Sequence, residues 1–328
     1  MSDNFAADKL VEARGLTKYF KTKQGLLHAV DGIDFSIFRG ETLGLVGESG
    51  CGKSTTGRLL IRLLEVTAGE IIFDGIDILK LKPAQLRSMR EKMQIVFQDP
   101  FASLNPRMSV SEIIAEPLII NKKYSNRRDV FQRVRQLMDT VGLSLRFQNS
   151  YPHELDGGRR QRIGIARALS LNPSFIVQDE PVSALDVSIQ AQILNLMQDL
   201  QEEYKLTYLF ISHDLGVIKH VSNRIVVMYL GKIVEMSDYK TMFSDPRHPY
   251  TKALLSAIPI PTVDEAPEQI ILEGDVTSPI NPPRICRFYS RCYAKIDICA
   301  KVEPELVEFQ TGRFCACHLT GQDKQADG

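Results

Sequence analysis

The chain has no charge excess of either sign: 40 Lys and Arg side chains are balanced by 40 Asp and Glu. A nucleic-acid binder usually carries a basic excess, so no nucleic-acid partner is expected. No run of about 18 apolar residues occurs, which argues against a membrane-spanning helix. Met1-Ser2-Asp3-Asn4 lacks the basic start and apolar core of a secretory leader, so the expected compartment is the cytosol. No long internal repeat is present. Cysteine is scarce through most of the chain: before Cys286 only Cys51 occurs. The other five crowd between Cys286 and Cys317, and in a reducing compartment such a crowd suggests a metal more than disulfides. What remains is ordinary globular composition, 44% hydrophobic and 24% charged. The 328 residues suffice for one large domain plus an appendage.

Against that background stands Gly47-Glu48-Ser49-Gly50-Cys51-Gly52-Lys53-Ser54-Thr55, which reads G-x-x-x-x-G-K-S/T, the phosphate-binding P-loop. Thr42 to Val46 ahead of it reads as a buried strand, and Thr55 to Leu64 behind it as a helix. The glycines let the backbone wrap tightly and turn its N–H groups inward. The helix N-terminus adds a positive dipole end. Lys53 is placed to reach the outer phosphates, and the Ser54 hydroxyl to ligate Mg²⁺. The chemistry therefore begins with a nucleoside triphosphate.

Val11 to Phe20 and Ala29 to Phe38 alternate apolar and polar residues and read as strands of an antiparallel sheet. Tyr19 and Phe20 fall between them; such an aromatic can stack on a purine base or simply pack in a strand. Gln94 to Gln98 is a short strand, and Gln98 at its carboxyl end sits where open α/β sheets bind ligands. From Val110 to Asn149 the pattern is helical, with Val130, Val134, Leu137 and Val141 on one face. Asp156, Gly157 and Gly158 open another helix, where free N–H groups can hold an anion.

Ser174 to Glu180 is an apolar strand ending in Asp179 and Glu180. The first carboxylate can hold Mg²⁺ and the second can polarise an attacking water. Ser183-Ala184-Leu185-Asp186 turns into a helix. Thr207 to Ser212 is a further buried strand, and His213 at its end suits a contact to the γ-phosphate or to water. Arg224 to Leu230 and Lys232 to Met236 read as a hairpin turned at Gly231. Composition shifts at Asp245-Pro246, after which prolines recur at 259, 261, 267, 279, 282 and 283. The expected domains are therefore 1–245, with a helical subdomain over roughly 99–170, and 246–328. Gly321–Gly328 is polar and expected to be disordered.

P-loop, Gln98, Gly-Gly helix start, strand-Asp-Glu, Ser-Ala-Leu-Asp and strand-end His occur here in that order. The set resembles the nucleotide-binding subunit of an ABC transporter over roughly residues 10–245. Phe97-Gln98-Asp99-Pro100, Ser103 to Arg107, Ser183 to Ser188 and Arg247-His248-Pro249-Tyr250-Thr251 are similar, more narrowly, to the dipeptide/oligopeptide importer ATPases. Nickel importers share these motifs. The resemblance implies an α/β fold: a P-loop NTPase core of the ABC ATPase type, an antiparallel β subdomain, a helical subdomain and a small cysteine-containing C-terminal extension. It implies ATP hydrolysis coupled to import of di- and oligopeptides, with nickel or another small solute as the alternative cargo. Two related ATPase subunits pair beneath two transmembrane permease subunits at the cytoplasmic face of the inner membrane, and an extracytoplasmic binding protein delivers substrate.

By that resemblance Phe20, or else Tyr19, stacks on adenine, and Gly47 to Thr55 cradle the phosphates. Gln98 touches Mg²⁺ or water, Asp179 holds Mg²⁺, Glu180 is the catalytic base and His213 the switch histidine. Asp186 is the D-loop acid. Asp156, Gly157 and Gly158 face the ATP of the partner subunit. The family signature reads Leu-Ser-Gly-Gly-Gln, whereas this chain has Leu155-Asp156-Gly157-Gly158-Arg159. An anion in place of the serine repels a phosphate by roughly 4 kcal/mol at about 4 Å and an effective dielectric near 20. A hydrogen bond to a charged group returns only about 1.5–3 kcal/mol. Unless Arg159 neutralises Asp156 or its carboxyl is protonated, the partner's ATP turns over slowly and the pair is asymmetric; as a helix cap alone, Asp156 needs no such role.

Cys286, Cys292, Cys299 and Cys317 match the cysteine-bearing extension of peptide-importer ATPases, several of which hold a 4Fe–4S cluster, and Cys315 is extra. Four thiolates suit such a cluster, whereas zinc ligands usually include a close pair and Cys286, Cys292 and Cys299 are spaced more widely; zinc and free thiols stay open as alternatives. Cys51 reads as inert packing.

Overall fold

The computed structural model describes residues 8–258, 269–274 and 277–320. Met1-Ser2-Asp3-Asn4, the proline-bearing 259–268 and Gly321–Gly328 lie outside the described residues. The chain forms two compact units. One takes the chain to Ile37, Glu41–Leu79 and everything from Ser212; the other takes Phe38–Gly40 and Lys80–Ile211.

The first unit opens with β1 (Lys9–Thr22), β2 (Gly25–Phe38), β3 (Thr42–Val46), α1 (Lys53–Leu60), β4 (Ala68–Phe73) and β5 (Ile76–Asp77). β2-β1-β4-β5 is the order of a four-stranded sheet, and β1 and β4 run antiparallel with Val11 opposite Phe73. Leu10, Val11, Ala13 and Leu16 are buried in β1. β1 spans the expected Val11 to Phe20 and runs on to Thr22, so Tyr19 and Phe20 lie inside it. Every residue of β3 is buried, as its unbroken apolar run requires. α1 begins at Lys53, two residues before the expected start, because Gly52 takes a left-handed cap with φ 107°.

The second unit comprises α2 (Pro83–Lys92), β6 (Met93–Val96), α3 (Pro100–Ser103), α4 (Val110–Ile120), α5 (Arg127–Thr140), α6 (Gly157–Leu169), β7 (Phe175–Asp179), α7 (Val187–Tyr204) and β8 (Thr207–Ile211). β6, β7 and β8 are parallel neighbours, with Ile95 opposite Val177 and Val177 opposite Leu209. Their short apolar runs are the mark of strands covered on both faces. α4 starts on a capping box: Ser109 Oγ accepts from Glu112 N–H, and Glu112 Oε2 accepts from Ser109 N–H. Val130, Val134, Leu137 and Met138 form the buried stripe of α5.

The chain then returns to the first unit with α8 (Leu215–Val221), β9 (Arg224–Tyr229), β10 (Lys232–Asp238), α9 (Tyr239–Ser244), α10 (Pro249–Ser256), β11 (Val307–Gln310) and β12 (Arg313–Cys315). β9 lies parallel to β3, with Leu45 opposite Val226. β9 and β10 form an antiparallel hairpin turned at Gly231, φ 80°. The C-terminal region adds β12 against β10 and β11 against β12. Tyr229, Tyr250 and Phe288 pack together with ring centroids 4.7–5.4 Å apart. Among the described residues no helix is long and apolar enough to cross a membrane.

Candidate nucleotide site

β3 delivers the chain into the P-loop at Gly47. Gly47, Gly50 and Gly52 have φ of 150°, 78° and 107°. A Cβ on Gly47 would stand 2.2 Å from the Met228 carbonyl oxygen, and one on Gly52 2.1 Å from that of Ala29. Backbone approach therefore demands glycine at both places. Gly231 N–H closes the loop on Cys51 O at 2.9 Å. Lys53 Nζ lies inside it, donating to Gly47 O at 2.7 Å and Glu48 O at 3.0 Å. Ser49 and Gly50 are exposed and Ser54 and Thr55 half-buried, so the loop's rim is accessible. Cys51 is 3% exposed, and burial pushes its thiol pKa up, as expected of a packing residue.

Ser212 N–H donates to Leu45 O at 3.2 Å, which sets exposed His213 beside the strand that feeds the P-loop. Tyr19 is already engaged: its ring stacks on His28 at 3.9 Å and its hydroxyl donates to Asp31. Phe20 is half-buried, with Lys18 Nζ 4.9 Å from its ring centroid. Two contacts that the sequence did not reveal reach the loop from the C-terminal region. Arg291 Nη1 donates to Glu48 Oε2, and Glu48 N–H donates to Tyr250 Oη, both at 2.8 Å. Tyr250 stands in the Arg247 to Thr251 motif and Arg291 beside Cys292, and neither place in the sequence says what its side chain meets.

In the second unit, Asp179 ends β7 fully buried, and half-buried Glu180 follows at φ 49°. A non-glycine residue held left-handed costs about 1–3 kcal/mol and persists where the surroundings determine it. Glu180 N–H is fixed on Ile211 O at 3.0 Å. Gln98 Nε2 donates to Glu180 Oε2 at 2.9 Å, so these two residues, 82 apart in sequence, form one polar pair. Asp186 is exposed ahead of α7 and makes no side-chain cap.

Asp156 caps α6: its Oδ1 accepts from Arg159 N–H at 2.8 Å, and its Oδ2 from Arg159 Nη1 at 2.6 Å. The arginine thus sits on the carboxylate, and the repulsion expected of a bare Asp156 is offset. Gly157 and Gly158 have a packing reason as well. A Cβ would meet Leu185 Cδ2 at 2.9 Å from the first and Ile189 Cγ2 at 2.6 Å from the second.

Cys286 N–H donates to Cys299 O at 3.1 Å. Burial pushes the Cys286 thiol to about 11, with Cys299, Cys317 and Cys292 adding to the rise. Cys315 stands apart in β12, opposite Glu235. The donor chemistry of the four thiols suits a metal, but among the described residues no group of three or more His, Cys, Asp or Glu is placed to hold one. Ligand geometry thus supports neither the iron–sulfur nor the zinc expectation.

A family profile described as "ABC transporter" matches residues 30–183, and one described as "Oligopeptide/dipeptide transporter, C-terminal region" matches 234–299. The oligopeptide transport ATP-binding protein AppF of Bacillus subtilis is 51% identical over 322 residues, covering 95% of this chain and 98% of that protein. Among solved structures, the ATP-binding cassette MJ0796, a dimer in a post-hydrolysis state bound to ADP and Pi, is 31% identical with a TM-score of 0.64. The match covers 70% of this chain and 98% of that one. CbiO1 from Clostridium perfringens, part of the transporter complex cbiONQ, is 26% identical with a TM-score of 0.65, over 73% of this chain and 92% of that one.

Proposed function

The chain belongs to the ABC transporter family, in its oligopeptide/dipeptide branch of ATP-binding subunits, and from that premise we propose that it hydrolyses ATP to drive peptide import. The observation that carries this is the 51% identity, over 95% of the chain, to an oligopeptide transport ATP-binding protein. No comparable observation favours nickel or another small solute.

Lys53 and the N–H groups of the P-loop bind the phosphates, and Phe20 stacks on the base, since the Tyr19 ring is occupied. Ser54 and Asp179, with Gln98, are hard oxygen donors of the kind Mg²⁺ takes; the ion screens phosphate charge when bound. Glu180 accepts the proton of the attacking water, and Gln98, already bonded to Glu180, orients it. His213 contacts the γ-phosphate. The ATPase domain takes 1–245, with its helical subdomain over about 99–170, and the extension 246–328.

In this reading the subunit sits at the cytoplasmic face of the membrane and works with two permease subunits, a binding protein and a second homologous ATPase. With the Asp156 charge offset by Arg159, asymmetry within that pair rests on the missing serine hydroxyl alone. A 4Fe–4S cluster on Cys286, Cys292, Cys299 and Cys317 rests on donor chemistry, and iron and acid-labile sulfide in anaerobically purified protein test it.

The main test reconstitutes the full complex in vesicles and measures ATP turnover with uptake of a labelled oligopeptide. Glu180→Gln should lower turnover by about 10²–10⁴-fold while ATP still binds. ATP-driven uptake of nickel without peptide would sink the peptide reading. Brisk hydrolysis by this chain alone, unchanged by Asp156→Ser, would sink the asymmetric pair.

A further inference from the structure

An acid stands second in the P-loop, where the ATP reading, on which this inference rests, has no use for it. A carboxylate beside a triphosphate repels it. Glu48 is held by two side chains from elsewhere in the first unit, Arg291 and Tyr250. Its Oε2 accepts from Arg291 Nη1 at 2.8 Å, with the two side chains 26% and 10% exposed. Its backbone N–H donates to the hydroxyl of Tyr250, a side chain with no exposure, packed edge-on against Tyr229 at 4.7 Å. Arg291 Nη1 also reaches the Tyr229 hydroxyl at 3.5 Å. Its neighbourhood is pinned in turn: Arg287 donates to Leu230 O at 3.0 Å and pairs with Asp31. Water screens such a half-buried pair less than it screens a surface one.

We propose that Arg291 is a positioning residue for the nucleotide. It cancels the Glu48 charge and holds that acid toward the C-terminal region, so the loop's affinity for ATP depends on that region being seated. Arg291 and Glu48 are 243 residues apart in sequence, yet the contact is direct.

The test is equilibrium binding of a fluorescent ATP analogue, and of its ADP counterpart, to the full chain. Arg291→Ala leaves one net negative charge at the loop and should weaken ATP about tenfold, ADP less, and more strongly at low salt. Arg291→Lys keeps the charge and should retain most of the affinity. Glu48→Gln leaves the arginine uncancelled and should tighten ATP binding several-fold. Combined with Arg291→Ala, it should recover most of the loss. Thermal unfolding identifies any variant that fails to fold; in that case the Arg291→Lys and Glu48→Gln pair carries the test. Unchanged affinity in Arg291→Ala, or a double variant as weak as Arg291→Ala, would overturn the proposal. A wild-type chain that binds no ATP would instead overturn the nucleotide reading beneath it.

Discussion

The start of α1 at Gly52-Lys53 and the start of α6 at Gly157-Gly158 are both glycine-rich helix N-termini, yet glycine answers a different need in each. In the P-loop, Gly47, Gly50 and Gly52 are left-handed, and at Gly47 and Gly52 the carbonyl oxygens of Met228 and Ala29 occupy the space a Cβ would take. At α6 neither glycine is left-handed, and the atoms in the way are the methyl ends of Leu185 and Ile189. The charges differ too. Lys53 is enclosed by loop carbonyls, whereas Asp156 and Arg159 form an exposed pair, 58% and 41% accessible. The first start is rigid because backbone fixes it. The second is a packed helix whose cap can be exchanged.

Gly52→Ala would break the comparison most severely. Its Cβ meets backbone that cannot yield, and its φ is strained, so a loss above about 3 kcal/mol with no ATP binding is expected in denaturant melts and nucleotide titration. A smaller effect should come from acid. His248 Nδ1 accepts from Tyr250 N–H at 3.1 Å and so caps the helix that carries the P-loop's tyrosine. Burial lowers its pKa to about 3. Between the ordinary histidine value near 6.5 and that folded value the unfolded chain binds the extra proton, so stability falls as pH falls. From pH 7 to about pH 5 the loss is about 2 kcal/mol by thermal unfolding, and it should vanish in His248→Asn. Glu235, whose pKa burial raises, opposes this trend just above the usual carboxylate range.

Gly158→Ala should cost about 1–2 kcal/mol, since Ile189 can shift but only at the expense of packing. Asp156→Ala should lose about 1 kcal/mol with its cap, and Asp156→Ser, which keeps a capping oxygen, should change stability by less than about 0.5 kcal/mol. If Asp156→Ser were as costly as Gly52→Ala, the view of α6 as an exchangeable start would be wrong.

The P-loop, the strand ending at Asp179 and Glu180, and the hairpin at Gly231 were legible because each rests on local rules: glycine where φ is positive, unbroken apolar runs where both strand faces are covered. The extension of β1 to Thr22 was not, because Lys21 and Thr22 are polar and exposed and carry no apolar alternation. The Asp156–Arg159 pair is legible because residues three apart on a helix bring their side chains together.

The sequence by itself determined the family, the order of the phosphate-handling residues and the Asp156 cap, since each rests on a motif of a few neighbouring positions. Only tertiary structure decided that Gln98 pairs with Glu180, that Leu185 and Ile189 are why α6 opens on glycines, and that Arg291 and Tyr250 hold Glu48. Those contacts join residues up to 243 apart. No propensity or period encodes such a distance; the packing of the folded chain closes it.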